Sequence, residues 1–511
     1  MWKSRSNHLT INEMIKRIIY VLAAFIGVTA LSSCELKSNV YDAYNTSIFP
    51  KTEEDLEALL VGSVYGPFRS NQFSGLFTVA IGGVQIYNDM CTDMGDCNWN
   101  DPYWFDIINV NFNLNNSNGP QLIYNNWLSS LSRIADVVKQ IKEMDSISEE
   151  NKRKMLAECY CATGWLGYIL YDMYGGIQIP TEESLANPAA NVIIPRSSNE
   201  ETAKFIEDNL LAAAEVLPKN IKYGSSDYGR FTAGTAYTIL MHLYMHDGRW
   251  KDAVEIGREL MKAEYGYSLV PEYKDIFTLE NEGNSETIFA CTCDHGIHTQ
   301  YWLSQVLSDN YPVKNRKMQR WGGYRMPWNY YHTYEDGDRR LETIVASYVS
   351  TAGVLVDEAH PSDGLRKGAM PKKYGEDPED TGAGSSIDWI VLRYADVLLL
   401  QAEALARSAD GVTQEAVDRL NDIRRRAGLE PYKTSDFSGL ESFLNAVLTE
   451  RGHELYFEGW RRSDLIRHGK FVSFAKLYKK SRTAAPHHVL FPLPQSVIME
   501  GHGQVLQNPG Y

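Results

Sequence analysis

The chain has 511 residues, of which 44% are hydrophobic and 23% charged, a composition typical of globular proteins with one large domain or about three smaller ones. It excludes collagen-like, intrinsically disordered and multi-span membrane proteins. Sixty-five acidic against fifty basic residues give a net charge of −15, which disfavours a protein that follows nucleic-acid phosphates. We therefore expect no nucleic-acid partner.

A short apolar segment near the N-terminus predicts export. Two basic residues precede a largely apolar run over 18–31, fourteen residues long, whereas a bilayer-spanning helix needs about 20. The run ends in Leu-Ser-Ser-Cys at 31–34, which resembles a bacterial lipobox. We predict a lipoprotein signal peptide over 1–33 and lipidation of Cys34. An ordinary secretory signal is the alternative, and Met14 is a second candidate for the true start.

Helical periodicity follows along the first half of the chain. Residues 52–64 place an acidic first turn ahead of leucines at three- and four-residue spacing, which predicts an amphipathic helix. A second helix is expected over about 127–144, and a third begins at a Ser146–Glu149 capping box and ends near Tyr174. Another capping box, Ser198–Glu201, predicts a fourth helix.

Two segments, 232–260 and 393–426, repeat small residues between aromatic or aliphatic ones on paired helices. Small residues let helices approach closely, so this pattern is typical of tetratricopeptide units. Because the spacing between the units is irregular, we expect a bent helical scaffold and not a regular solenoid.

The fold class predicted from these patterns is mainly α, with a tetratricopeptide-like scaffold of helical hairpins. The scaffold is expected at about 120–265 and 386–480, and large irregular loop insertions are expected at about 66–120 and 265–385. The C-terminal residues 480–511 are also loop-rich. A few short strands should occur in these parts, for example at 286–290 and 489–492.

Six cysteines besides Cys34 are too few to build a disulfide scaffold of this size. Cys91 and Cys97 bracket a loop and could pair, whereas Cys159 and Cys161 stand two apart in a helical pattern and their side chains should diverge. No Cys-x-x-Cys pair is present, and the adjacent histidines at 487–488 should point apart in an extended segment. We predict no metal site and no cofactor.

Four segments of the second half resemble one protein family. RYADVLLLQAEA at 393–404 resembles the RYAxxLLxxAEA helix of SusD/RagB-type outer-membrane lipoproteins, and NDIRRRAG at 421–428 resembles their N-x-I-R-x-R-A-G turn. ERGHELYFEGWRRSDL at 450–465 is similar to the family's most recognisable element, and FPLP at 491–494 with QNPGY at 507–511 resembles its closing segment. By this resemblance the chain is identified as a member of the SusD/RagB family of Bacteroidetes.

The resemblance implies that residues 34–511 form a single SusD-like domain, anchored by lipid at the cell surface of the outer membrane. It implies a glycan ligand and a partner TonB-dependent (SusC-like) transporter, to which captured oligo- or polysaccharide is delivered during nutrient uptake. Some family members bind peptide, so a peptide- or protein-binding surface lipoprotein is the alternative function.

The charged residues in these segments also predict architecture. Glu403 and Arg407 stand four apart on a predicted helix, the spacing of a helical ion pair. Further along, charges of alternating sign predict ion pairs that tie loops to helices, and they are Glu450, Arg451, Glu454, Glu458, Arg461, Arg462 and Asp464.

An enzyme would need groups that the sequence does not supply. A glycosidase requires two carboxylates about 5 or 6.5–9.5 Å apart. The candidates are the aspartates between 87 and 106, among them Asp89 and Asp93. They lie in an Asn- and Gly-containing stretch, where aspartates usually form turns. No Gly-x-Ser-x-Gly elbow, phosphate-binding loop or His-Glu-x-x-His motif is present. We predict no catalytic residues and no enzymatic activity.

Aromatic residues beside amides are the strongest binding signal. A pyranose has an apolar face that stacks on aromatic rings and hydroxyls that bond amides and carboxylates. In the resembling family, glycan sites are built from the two regions that correspond to 66–120 and 265–385. The candidate ligand-binding residues are Trp99, Tyr103, Trp104, Asn98 and Asn100 in the first, and Trp302, Arg320, Trp321, Tyr324 and Trp328 in the second. The alternative for any one ring is that it packs a loop onto the scaffold.

Overall fold

A computed structural model describes residues 49–71, 74–113, 118–181, 184, 192–362, 364–380 and 382–511. The predicted signal peptide and Cys34 lie outside these residues. The chain divides into two compact units, Met1–Pro50 and Lys51–Tyr511, and the following description concerns the second. Across the ranges just given, no helix combines the length and apolar character that crossing a membrane requires.

The described part of Lys51–Tyr511 is mostly helical. In chain order its helices are α1 (Glu53–Leu59), α2 (Val84–Met90), α3 (Pro102–Ile108), α4 (Asn118–Glu143), α5 (Glu149–Tyr174), α6 (Asn199–Val216), α7 (Ala233–His246), α8 (Trp250–Leu260), α9 (Trp302–Val306), α10 (Trp328–Tyr331), α11 (Tyr394–Ser408), α12 (Gln414–Arg426), α13 (Leu440–Glu454), α14 (Arg461–Arg467), α15 (Phe471–Tyr478) and α16 (Gln495–Glu500). The strands are β1 (Asp96–Cys97), β2 (Thr287–Cys291), β3 (Tyr324–Arg325), β4 (Tyr348–Val349), β5 (Leu355–Val356) and β6 (Trp389–Arg393).

Side-chain caps set where several helices begin. The capping boxes at Thr52 before α1 and at Ser198 before α6 are formed, and α1 continues into one π-helical stretch at Leu60–Tyr65. The predicted box at Ser146 is wrong, because Ser148 caps α5 and accepts a hydrogen bond from the backbone of Asn151. Gly175, with φ of 76°, ends α5 as predicted.

The helices of the scaffold pack on one another in chain order. α5 packs on α6, α6 on α7, α7 on α8, α8 on α11, and α11 on α12. Small residues permit the close approaches: a Cβ atom at Gly164 of α5 would lie 2.5 Å from the Leu210 side chain of α6. One at Gly257 of α8 would lie 1.9 Å from the Gln401 side chain of α11. This arrangement confirms the mainly α, tetratricopeptide-like scaffold.

The strands are short and join distant parts of the chain. β2 pairs antiparallel with β6, which confirms a strand close to the predicted 286–290. β1 pairs with β3, and β4 with β5. The strand predicted at 489–492 is wrong, because Pro486–Val489 forms a 3₁₀ turn. That turn also brings the rings of His487 and His488 to 4.1 Å between centroids, so the expectation that they point apart is wrong.

Buried ion pairs connect the scaffold to the loops. Arg393 is fully buried and contacts Glu286 at 2.6 Å, Glu454 at 2.5 Å and Glu458 at 2.7 Å. The other buried pairs of this group are Arg340 with Asp338, Glu450 and Glu454, Arg426 with Glu286 and Glu454, Lys373 with Glu458, Arg451 with Asp396 and Asp464, Arg461 with Asp93, and Arg462 with Asp172. We call these residues the ionic frame, and they confirm the predicted ion pairing of the 450–464 segment.

The frame holds the carboxylate of Glu454 in the charged form. Burial alone would raise the pKa of Glu454, but the guanidinium groups of Arg426, Arg393 and Arg340 hold it far below its usual range. Glu403 pairs with Arg407 at 2.8 Å, the predicted helical pair, and also with Arg467 at 2.7 Å. Both interactions fix side chains of α11 against their neighbours.

None of the six cysteines after Cys34 forms a disulfide. The sequence left open whether Cys91 and Cys97 pair, and in the structure both are buried free thiols. Cys159, Cys161 and Cys291 are also buried free thiols, and Cys293 is a half-buried one. Burial raises the pKa of the Cys91 and Cys97 thiols to about 12, so both remain protonated at neutral pH.

Candidate ligand-binding cleft

The two loop insertions meet at a short seam. β1 and β3 pair there, with Asp96 opposite Arg325 and Cys97 opposite Tyr324. The seam continues where the Asn98 N–H donates to the Gly323 carbonyl at 2.8 Å. The Asn98 side-chain amide also donates to the Gly322 carbonyl, at 3.2 Å. Residues far apart in sequence are therefore held on one surface.

A cleft of about 790 Å³ lies beside this seam. Its walls come from the first insertion, from the start of α10, and from the end of α15. We call it the aromatic cleft, and the lining residues used below are Trp99, Asn100, Asp101, Phe105, Asn109, Trp328, Asn329, Lys367, Tyr478 and Lys479. Its size is that of a cavity for a small-molecule or oligosaccharide ligand.

The local sequence explains why α3 presents a ring to this cleft. Asp101 caps the helix by accepting a hydrogen bond from the Tyr103 N–H at 2.9 Å, and Pro102 fills the first helical position. The short helix then buries Trp104 at 3% exposure and leaves Phe105 65% exposed. Adjacent residues of one helix thus divide between the core and the cleft.

Two indoles in the cleft are fixed by their N–H groups. The Trp99 indole donates to the Trp321 carbonyl at 3.0 Å, and the Trp328 indole donates to the Leu365 carbonyl at 3.1 Å. Both rings are half-buried, so part of each remains open to the cleft. A ring whose polar edge is already bonded presents only its apolar surface to a ligand.

Three of the ten predicted ligand-binding residues line the cleft: Trp99, Asn100 and Trp328. Their role in binding stays a prediction. Tyr103 directs its hydroxyl into the protein, and Trp321 packs its ring parallel to Tyr301 with 6.2 Å between centroids. The side chains of Asn98 and Arg320 bond backbone carbonyls, those of Gly322 and Tyr311.

Trp104, Trp302 and Tyr324 are buried in the hydrophobic core, so the expectation that they face a ligand is wrong for all three. The Trp302 indole donates to the Pro371 carbonyl at 3.0 Å, and the Tyr324 hydroxyl donates to the Val79 carbonyl at 2.6 Å. Each buried polar group therefore has a partner inside the protein. These rings attach the insertions to the scaffold.

Sequence reasoning missed several residues of the cleft. Phe105 could have been found, because the Asp101-Pro102 helix start places Trp104 and Phe105 on different faces. Tyr478, at 38% exposure, gave no signal, because it comes from a helix more than 370 residues further along the chain. Lys479 comes from the same distant region. Asn329 and Lys367 were also missed, although both lie in the predicted insertion 265–385 and Asn329 directly follows Trp328.

The aspartates that an enzyme might use are engaged elsewhere. Asp89 lies on α2, is fully buried, and accepts backbone N–H groups of Gly459 at 2.7 Å and Arg461 at 3.1 Å. Burial nevertheless raises the pKa of Asp89 to about 7. Asp93 pairs with the buried Arg461 side chain at 2.7 Å. Within the described ranges, no group of three or more His, Cys, Asp or Glu side chains is arranged to hold a metal ion.

Two sequence profiles match the chain. One, described as "SusD family", matches residues 285–511, and the other, described as "Starch-binding associating with outer membrane", matches residues 74–245. Together they cover the seam, the cleft and most of the scaffold, but not α8. The chain belongs to the SusD/RagB family.

Individual relatives share about a quarter of their residues with this chain. A SusD-like protein P2 of Formosa agariphila is 24% identical over 520 aligned positions, which cover 96% of this chain and 99% of that protein. The starch-binding protein SusD of Bacteroides thetaiotaomicron is 22% identical over 358 positions, covering 68% of this chain and 57% of that protein.

Solved structures share the fold. A laminarin-binding SusD-like protein superposes with a TM-score of 0.73 at 22% identity, covering 90% of this chain and all of that one. The surface glycan-binding protein A of Bacteroides thetaiotaomicron, in complex with laminarihexaose, superposes with a TM-score of 0.70 at 20% identity, covering 89% of this chain and 99% of that one. The helical scaffold and its insertions are therefore the architecture of this family.

Proposed function

We propose that this protein is a non-catalytic glycan-binding lipoprotein of the cell surface. It captures oligo- or polysaccharide in the aromatic cleft and delivers it to a partner TonB-dependent (SusC-like) transporter. The observation that carries the proposal is a cleft in which the surfaces of Trp99, Phe105 and Trp328 lie beside the amides of Asn100 and Asn329. Rings take the apolar faces of sugars, and planar amides take their hydroxyls.

The relatives support the same ligand class. The names of two solved neighbours describe binding of laminarin or laminarihexaose, and the name of one relative describes binding of starch. These are different glucans, so the shared property is capture of a sugar polymer. The residues of its own cleft are the best guide to the sugar that this chain recognises.

Absence of catalysis is part of the proposal. An acid and a base would have to face the ligand, and the two aspartates nearest to such a role, Asp89 and Asp93, are buried against backbone N–H groups and Arg461. Asp96 and Asp101 do line the cleft, but Asp96 pairs with Lys367 at 3.3 Å and Asp101 caps α3. A binding protein needs only the rings and amides.

The membrane anchor and the transporter complete the proposed route. Lipidation of Cys34 would hold residues 34–511 at the outer membrane, which agrees with the description of the profile that matches residues 74–245. Fatty-acid labelling that is lost in Cys34→Ala tests the anchor. Co-purification of a TonB-dependent transporter with the tagged chain tests the partner, and recovery of the chain alone under mild detergent contradicts it.

Calorimetric titration of the full-length protein against a panel of polysaccharides tests glycan binding. Trp328→Ala should lower the affinity for a recognised glycan by about tenfold to hundredfold, because ring stacking is worth about 1–3 kcal/mol. Tyr223→Ala is the matched control, because Tyr223 is also an exposed ring but lines a different cavity. Equal loss in both variants, or binding of peptides and no glycan, contradicts the proposal. Release of shorter sugars by the purified protein contradicts its non-catalytic part.

A further inference from the structure

One segment of this acidic chain has no acidic residue at all. Residues 465–499 contain six lysines and arginines and no aspartate or glutamate, whereas the whole chain carries a net charge of −15. This stretch includes α15 and ends one residue before the end of α16. Its positive charge is therefore concentrated in one part of the fold.

The six bases of this segment fall into three groups. Lys470 and Lys479 are half-buried and donate to the Asn445 side-chain oxygen and to the Gly95 carbonyl, respectively. Arg467 is buried and pairs with Glu403 and Asp464, both at 2.7 Å, so it belongs to the scaffold. Lys476, Lys480 and Arg482 are exposed and form no ion pair with any residue that the structure describes. We call these three residues the basic rim.

The basic rim lies at the edge of the aromatic cleft. Tyr478 and Lys479, which line the cleft, stand between Lys476 and Lys480. Ser481 and Thr483 both donate hydrogen bonds to the carbonyl of Asn109, another lining residue. Arg482 is held between these two contacts.

The net charge around the cleft is positive, whereas the net charge of the whole chain is negative. Lys367, Lys479 and the three rim residues give five bases, and Asp96, Asp101 and Asp106 of the facing segment give three carboxylates, a local balance of +2. Lys367 compensates Asp96 at 3.3 Å. On the Trp328 side, Glu358 is paired with His332 at 2.9 Å. Lys479 donates to the Gly95 carbonyl, which leaves the three rim residues as the bases without an ion-pair partner among the described residues.

Apolar surface accompanies this charge. Leu477 is 65% exposed beside Lys476, and Phe105 and Tyr478 are exposed on the facing walls of the cleft. A ligand that matches both features has apolar ring faces and bears negative groups at its periphery. A lipid headgroup surface would supply the charge, but it is flat, whereas the rings of Trp99 and Trp328 lie inside a concave site.

We propose that the cleft takes an acidic glycan, a polysaccharide with carboxylate or sulfate substituents, in which the rings hold the sugar faces and the basic rim holds the acidic groups. This inference rests on the proposed glycan-binding function and narrows its substrate class. Positive charge at the mouth of a cleft also raises the local concentration of an anionic polymer and speeds its association, an effect that salt screens.

Matched pairs of polymers test this inference on the full-length protein. Dextran and dextran sulfate, agarose and carrageenan, and methyl-esterified pectin and polygalacturonate differ mainly in charge. For at least one pair, the acidic member should bind at least about tenfold more tightly, and the preference should shrink as NaCl rises from about 0.05 to about 0.3 M.

A triple variant, K476Q/K480Q/R482Q, should bring the affinity for the acidic member down to that for the neutral one, with an unchanged melting temperature. The control K142Q/K251Q/K433Q removes the same charge from exposed lysines elsewhere and should bind like the wild type. Together the two variants separate the rim from the net charge of the protein.

The outcomes separate this inference from the proposed function. Binding of neutral glycans that neither triple variant changes, without preference for any acidic member, overturns the inference and leaves glycan binding intact. Binding of no polysaccharide at all overturns both. Rim-dependent binding to vesicles of phosphatidylglycerol over phosphatidylcholine, with no acidic polysaccharide bound, assigns the rim to a membrane and also overturns the inference.

Discussion

The ionic frame and the aromatic cleft use the same residue types in opposite ways. In the frame, Arg393 is fully buried among three carboxylates, all within 2.7 Å. At the cleft, Arg482 is exposed and has no carboxylate partner among the described residues. A buried charge that is fully paired with protein groups cannot contact a ligand. The ionic frame can therefore hold the cleft in position but cannot bind a ligand itself. Only the unpaired charges can discriminate between ligands.

Aromatic residues repeat this division. Trp104 and Phe105 are neighbours on α3, yet Trp104 is in the core and Phe105 is open to the cleft. Trp302 and Tyr324 resemble Trp104 in being buried, and the polar groups of these two donate to backbone carbonyls of the interior. Residue type therefore predicts little about function in this molecule, and burial predicts much.

The largest effect is expected from breaking the frame. Arg393→Met leaves the buried carboxylates of Glu286, Glu454 and Glu458 without their shared cation, and an uncompensated buried charge costs about 3–5 kcal/mol. We expect the free energy of unfolding to fall by that amount in denaturant titrations. Arg482→Met is the control, because an exposed, unpaired base contributes within about 0.5 kcal/mol. If the two variants are equally stable, the distinction between the buried, paired charges of the frame and the exposed, unpaired charges of the rim is wrong.

The next effect separates the two rings of α3. Trp104→Ala removes a core indole and should lower the free energy of unfolding by about 3–5 kcal/mol. Phe105→Ala removes an exposed ring, so stability should stay nearly constant while glycan affinity falls by about 1–3 kcal/mol. Melting curves and calorimetric titrations of both proteins check this. If Phe105→Ala is the less stable of the two, α3 is oriented differently.

The sequence predicted the scaffold better than the cleft, for a physical reason. Helices are encoded by local periodicity and caps, so the amphipathic helix after Thr52, the capping box at Ser198 and the end of α5 at Gly175 could be read directly. Whether a loop residue lines the cleft depends on which face of the loop is covered by other side chains. Those covering side chains are distant in sequence. The ion pairs of 450–464 could be predicted as a class, but their partners, such as Glu286, could not.

A third expected effect concerns a buried carboxylate outside the frame. Asp388 accepts the Cys293 N–H at 2.8 Å, and burial, with the nearby charge of Glu282, raises the pKa of Asp388 to about 7 from an ordinary 3.8. The folded protein therefore keeps this proton between about pH 4 and pH 7, where the unfolded chain has lost it. Stability contributed by Asp388 is complete below about pH 4 and is lost as the pH rises to about 7.

Asp388→Asn removes this titration. The variant should gain stability over the wild type progressively from about pH 4 to pH 7 and keep a constant advantage of about 4 kcal/mol above that, because one pKa unit is worth about 1.4 kcal/mol. Asp396 of the frame should act in the opposite sense: against burial, His242 and Arg451 hold its pKa well below 3.8, so its contribution is lost as the pH falls. Denaturant titrations at several pH values check both signs. A constant difference across the range contradicts the assignment to Asp388.

The smallest expected effect tests whether the seam positions the cleft. A Cβ atom at Gly323 would lie 2.4 Å from the Trp99 ring, so Gly323→Ala must displace that ring and disturb its bond to the Trp321 carbonyl. Because Trp99 is half-buried and the frame is untouched, stability should change little, whereas affinity for a recognised glycan should fall by about tenfold, or about 1.4 kcal/mol. Gly62→Ala is the matched control, since a Cβ there meets nothing within 4 Å. Calorimetric titration and thermal melting of both variants decide the matter: unchanged affinity in Gly323→Ala would remove Trp99 from the binding surface, and leave Phe105 and Trp328 as its rings.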